Sequence, residues 1–107
     1  MRIEYSSKDV VARIIERFKA NGIAQAPGLS PFYHVPATSE KAIRVRRQNG
    51  NEVEIPLSRL VTAIDAVRND VTVYSRGPNQ LRRFGIAGVN SVIYALLHLV
   101  SYEELTQ

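Results

Sequence analysis

The sequence predicts a small α+β domain, a mainly antiparallel sheet packed with helices. Three observations carry this. The stretch "SSKDVVARIIERFKANG" has apolar residues at the spacing of one helical face. The stretch "AIRVRRQNGNEVEIP" alternates apolar and charged residues around an Asn-Gly turn. The resulting element order, α, β, ββ hairpin, α, β, α, is that of an α+β fold. The chain has 107 residues, 45% of them hydrophobic and 22% charged, which suits one domain over 1–107. A domain of this size buries roughly two thirds of the surface its unfolded chain exposes, enough for one core without staples.

The first helix is predicted over about 7–20. Val10, Val11, Ile14, Ile15 and Phe18 form its apolar face, Ser6 and Asp9 an approximate capping box, and Gly22 a left-handed exit. Asp9 stands four residues before Arg13, a supportive surface pair. The prolines and glycines of 22–41 forbid a helix there, and "FYHV" at 32–35 predicts an edge strand, where flanking proline is tolerated.

Register decides the hairpin at 42–47/51–56. A two-residue loop at Asn49-Gly50 would put Ile43 and Val45 on the opposite face from Val53 and Ile55, splitting the core face. A three-residue loop, Gln48-Asn49-Gly50, with Gly50 left-handed in a bulge, shifts the parity by one. Val45 then faces Val53, and Ile43 faces Ile55. On the other face Arg46 meets Glu52, and Arg44 meets Glu54. "RVRR" by itself looks like a basic strand made for nucleic acid, but this register largely cancels its field and leaves Arg47, at the turn, outside those pairs.

A second helix is predicted over about 57–68, with Leu57, Leu60, Val61, Ile64 and Val67 as its buried stripe, Ser58 as a cap and Asn69 as a left-handed exit. "VTVYS" at 71–75 reads as a strand from its alternating β-branched residues. A third helix is predicted over about 90–101, capped by Asn90 or Ser91. It is apolar nearly all round, so it is either central or faces a partner.

Composition excludes several classes of function. With no cysteine, disulfide frameworks, thiol catalysis and thiolate zinc sites are out. No metal or cofactor site is expected: His34 and His98 are far apart, and neither has a ligand partner at i+3 or i+4. His98 reads as a satisfied polar position on the third helix. The carboxylates are few, with Glu103 and Glu104 adjacent at a frayed end, so no catalytic constellation is visible and a non-enzymatic role is expected. The start of the chain lacks the apolar region of a signal peptide, and the apolar run at 92–100 is too short to span a bilayer. A cytoplasmic protein without membrane partners is the expectation.

The charge is +4, carried by eleven arginines against three lysines. Arginine's planar fork suits phosphate or carboxylate. Nine basic and four acidic residues lie between Lys41 and Ile86, so any electrostatic footprint falls in the middle and late parts of the chain. "RGPNQLRRFGIAG" is the candidate segment. As a nucleic-acid contact loop, it would hold phosphates with Arg76, Arg82 and Arg83 and reach base edges with Asn79 or Gln80. Arg47 and Arg59 would join it if the hairpin tip and the start of the second helix lie nearby. The target expected is duplex DNA. Two other readings compete with this one. The segment can be a solvated connector kept polar for solubility, or the domain can be a homodimeric interaction module using the apolar helix at 90–101.

Two partial likenesses bear on this. Gly85-Ile86-Ala87-Gly88 resembles in outline the GXXG loop of KH domains, but lacks the basic residue those loops carry between the glycines. The α-β-β-β-α order resembles that of double-stranded RNA-binding domains in topology alone. "PLSRL" stands where they place a lysine cluster.

Overall fold

Helix α1 (Ser7–Asn21) begins at a full capping box. The Ser6 hydroxyl accepts the Asp9 N–H, and the Asp9 carboxylate accepts the Ser6 N–H. It ends where Gly22, at φ 74°, donates its N–H to the Phe18 carbonyl. A computed structural model describes residues 6–37, 39–76 and 90–106. Val10, Val11, Ile14 and Phe18 of α1 are buried, as the periodicity requires.

Four strands follow: β1 (Ile23–Ala24), β2 (Phe32–Val35), β3 (Ala42–Arg47) and β4 (Glu52–Pro56), in one antiparallel sheet of order β1-β2-β3-β4. The β3–β4 register is the one that keeps both faces consistent: Ile43 opposite Ile55, Val45 opposite Val53, Arg44 opposite Glu54 and Arg46 opposite Glu52. Its three-residue loop closes with Arg47 N–H bonded to the Asn51 carbonyl at 2.7 Å and Gly50 N–H to the Arg47 carbonyl at 2.9 Å. Gly50 sits at φ 91°, where a side chain would be strained. Asn51 N–H finds the Asn49 side-chain oxygen at 3.0 Å.

The sheet corrects two expectations. "FYHV" is not an edge strand, because Ile23 and Ala24 pair with Tyr33 and Phe32 on its outer side. Pro31 and Pro36 flank β2 without interrupting it, so nothing forces it outward. Residues 71–75 are not a strand either. They fall in helix α3 (Thr72–Arg76). The Asp70 carboxylate accepts both the N–H and the hydroxyl of Thr72, and the Val73 N–H returns to the Asp70 carbonyl. That local cap outweighs the modest β-propensity of Val71, Thr72 and Val73.

Helix α2 (Leu57–Asn69) starts at Pro56, not at a Ser58 cap. The Leu57 N–H is taken by the Lys41 carbonyl at 2.9 Å, and the Ser58 carbonyl accepts the Thr62 hydroxyl. At its other end Asp70 is extended, at φ −145°, so Asn69 makes no left-handed exit. The buried stripe is rotated from the expected one. Ala63 and Ala66 join Leu60, Ile64 and Val67, while Leu57 and Val61 are only half-buried. Small alanines at a contact let neighbouring helices approach closely.

Helix α4 (Asn90–Leu97) is shorter than the expected 90–101. Three successive i→i+3 bonds, from His98, Leu99 and Val100, close it, and α5 (Tyr102–Thr106) restarts behind a second capping box, Ser101 with Glu104. Every residue from Val92 to Leu97 is buried. Burial inside the domain therefore accounts for the composition of this helix.

The core lies between the helices and one face of the sheet: Ile43, Val45 and Ile55 against Ile14, Phe18, Leu60, Ile64, Ile93 and Leu96. Full burial of such side chains contributes about 1.5–3 kcal/mol each. The other face carries Tyr33, Arg44, Arg46, Glu52 and Glu54, exposed or half-buried. β1 and β4 are the outer strands of the described sheet. Among the described residues no helix is long and apolar enough to cross a membrane.

Candidate nucleic-acid interface

Strand alternation fixes where Arg47 goes. It shares the parity of Ile43 and Val45, so it lies on the helix side of the sheet, opposite Phe32 of β2. It stands at the hairpin tip, beyond the end of the core. There Arg47, Gln48 and Asn49 line a recess of about 560 Å³ together with Leu29, Phe32 and Ser91. Ser91 belongs to the first described turn of α4. One guanidinium, two amides and a hydroxyl thus border an apolar floor. These are donor groups suited to an anionic, partly apolar ligand.

Sequence proximity was no guide to Arg59. It lies in the first turn of α2, and the Leu57–Lys41 hydrogen bond fixes that turn at the base of the hairpin. The tip lies about 16 Å away along β4. Arg47 and Arg59 are therefore not brought together. Arg76 is the last residue of α3. Asn79, Gln80, Arg82 and Arg83 lie outside the described residues. The segment they occupy resumes the described chain at Asn90, next to Ser91 of the recess.

The charged sheet face behaves nearly as its register requires. Glu52 holds both arginines, Arg44 at 2.8 Å and Arg46 at 3.1 Å, so the Arg44 ion pair runs diagonally to Glu52. Hydrogen bonds from Arg44 and then Arg46 hold the Glu52 carboxyl below its ordinary value. The field of "RVRR" is damped on that face.

A third arginine cluster was missed in the sequence. Glu104 accepts from Arg17 at 2.8 and 2.9 Å and from Arg13 at 2.7 Å, while Arg17 also donates to the Leu99 carbonyl. Arg68 of α2 donates to the Leu105 carbonyl at 2.7 Å. Glu104 is thus not at a frayed end. Its carboxyl is lowered to about 2, chiefly by the Arg17 hydrogen bonds. The Ser-x-x-Glu spacing of Ser101 and Glu104 was the available signal.

His98 lies just past the end of α4, at the margin of the expected helix, with one ring nitrogen bonded. Its Nδ1 is 2.9 Å from the Tyr94 carbonyl, and its ring stacks on Tyr74 at 4.4 Å. A carbonyl can only accept, so Nδ1 carries the proton. The Tyr94 hydroxyl donates to the Tyr74 carbonyl at 2.6 Å, and burial pushes the Tyr74 hydroxyl above its ordinary value. Among the described residues no group of three or more His, Asp or Glu side chains is placed to hold a metal ion. No family model, no curated protein and no solved structure matches the chain.

Proposed function

We propose that the domain binds nucleic acid, duplex DNA foremost, without catalysing a reaction. The observation that supports this reading is the recess at the hairpin tip. It sets Arg47, Gln48 and Asn49 beside the N-terminus of α4, where the Arg-rich segment 76–88 leads back into the described chain. Arg47, Arg82 and Arg83 hold phosphates. The amides of Asn79 and Gln80 offer base-edge contacts. Arg44 and Arg46 contribute little, because Glu52 occupies both. Arg59, at the far end of the hairpin, is outside the contact surface.

Fluorescence anisotropy with labelled duplex DNA, single-stranded DNA and duplex RNA, at low and near-physiological salt, tests this. The expected result is micromolar or tighter binding to duplex DNA with a steep salt dependence, lost in Arg82→Glu/Arg83→Glu and weakened in Arg47→Glu. The log–log salt slope divided by about 0.9 counts the phosphates neutralised. Absence of binding at low salt sinks the reading and leaves 76–88 as a solvated connector.

A further inference from the structure

A second concavity, of about 540 Å³, lies at the opposite end of β2, between the C-terminal half of α1 and the connection from β2 to β3. Its size is that of a small-molecule site. The floor is apolar: Ile15 and Phe18 of α1, and Ile43 of β3. Residues 15, 18 and 19 are neighbours on one helix face, so Lys19 stands at the rim above Phe18. His34 occupies the helix side of β2, opposite the buried Val45, and its ring meets Phe18 edge-on at 5.2 Å and 87°. That is the edge-to-face geometry aromatic pairs favour.

The polar groups here are unlike the hydrogen-bonded His98. Among the described residues the His34 ring has no hydrogen-bond partner, and no half-buried side-chain nitrogen is both sealed from solvent and unbonded. The His34 ring nitrogens therefore reach solvent, and the residue lines the cleft. Lys19 likewise makes no ion pair among the described residues. Glu40 also lines the cleft, and its negative charge disfavours a doubly charged phosphate. Arg44 also lines the cleft, but it is paired with Glu52, which leaves Lys19, one imidazole and an apolar floor to fit a single negative charge on an apolar body.

We infer that the cleft between α1 and the β2–β3 end of the sheet binds a small apolar carboxylate. Lys19 and His34 hold the carboxylate, and Ile15, Phe18 and Ile43 receive the hydrocarbon. This site is separate from the hairpin-tip recess and does not depend on nucleic-acid binding.

Hexanoate is the probe, with hexanol lacking the charge and inorganic phosphate lacking the apolar body. The methyl signals of Ile15 and Ile43 and the ring signals of His34 are followed by NMR during each titration. Hexanoate is expected to give saturable shifts at all three residues, with a millimolar or tighter dissociation constant and about tenfold preference over hexanol and phosphate. Lys19→Met, at an exposed position, and His34→Gln should each weaken hexanoate several-fold while leaving the thermal midpoint unchanged. If His34→Gln fails to fold, Lys19→Met carries the test. The inference is overturned if hexanoate gives no saturable shift, if hexanol binds as tightly, or if Lys19→Met leaves the affinity untouched.

Discussion

Two carboxylates in this molecule are each held by two arginines, and they do different things. Glu52 ties Arg44 to Arg46 across six to eight residues of sequence, between strands that the hairpin has already paired. Glu104 ties Arg13 and Arg17 across 87 to 91 residues, closing the C-terminal helix onto the first one. Glu104 is also the less exposed, at 17% against 28%, and it completes a capping box as well. The chemistry is the same, but a contact that repeats what the backbone already fixes adds little. A contact that joins distant elements removes freedom nothing else removes.

The largest expected effect is at Glu104. Glu104→Ala removes three charge-assisted bonds and half of a capping box and should cost about 2 kcal/mol, read as a lower urea midpoint. Acid should follow the same order. The Glu104 carboxyl titrates near 2 in the folded protein against an ordinary 4.5, so its contribution is complete above about pH 4.5 and is lost as the pH falls toward 2. Urea midpoints should agree at pH 7 and 5, fall by pH 3 in the wild type, and fall less there in Glu104→Gln. An equal fall in both proteins would remove Glu104 as the cause.

Next comes the turn that makes Glu52 redundant. Gly50→Ala forces a side chain into φ 91° and should cost about 1 kcal/mol by the same measurement. The smallest effect is expected at Glu52 itself. Glu52→Gln should leave the urea midpoint at the wild-type value. It should also tighten duplex DNA binding at low salt, because Arg44 and Arg46 regain their field. If Glu52→Gln destabilises as much as Glu104→Ala, the contrast between local and long-range pairing is broken.

The same division between local and long-range explains what could be read before the structure. The capping box at Ser6 and Asp9, the exit at Gly22 and the hairpin register are settled by residues within a few positions of one another, and all three are visible in the chain. The Asp70 cap that turns 72–76 into a helix was equally local but lay under a run of β-branched residues. The Ser101–Glu104 box was hidden by a helix drawn through it. Site residues are harder. That Arg47 borders Ser91 while Arg59 lies at the hairpin's other end depends on how β4 turns into α2, and no spacing rule contains that. His34 carries a weak signal because Phe18, its ring contact, and Lys19, which lines the same cleft, come from an element closed before β2 begins.

The outer strand β4 has a consequence of its own. Val53 and Ile55 turn their backbone groups toward β3, so Glu52, Glu54 and the N–H-less Pro56 occupy the outward positions of β4. The Glu52 and Glu54 side chains share a face with Arg44 and Arg46, so the guard on this edge is Pro56, which offers no N–H to an incoming strand. Arg44 and Arg46 keep Glu52 ionised below the ordinary carboxylate range, and Glu104 lets go only as the pH falls toward 2. Toward pH 2 the clamp on α5 is thus released while the β4 edge still faces outward. Acid treatment is therefore expected to lead to thioflavin-positive fibrils, a product that returning the sample to neutral pH does not reverse.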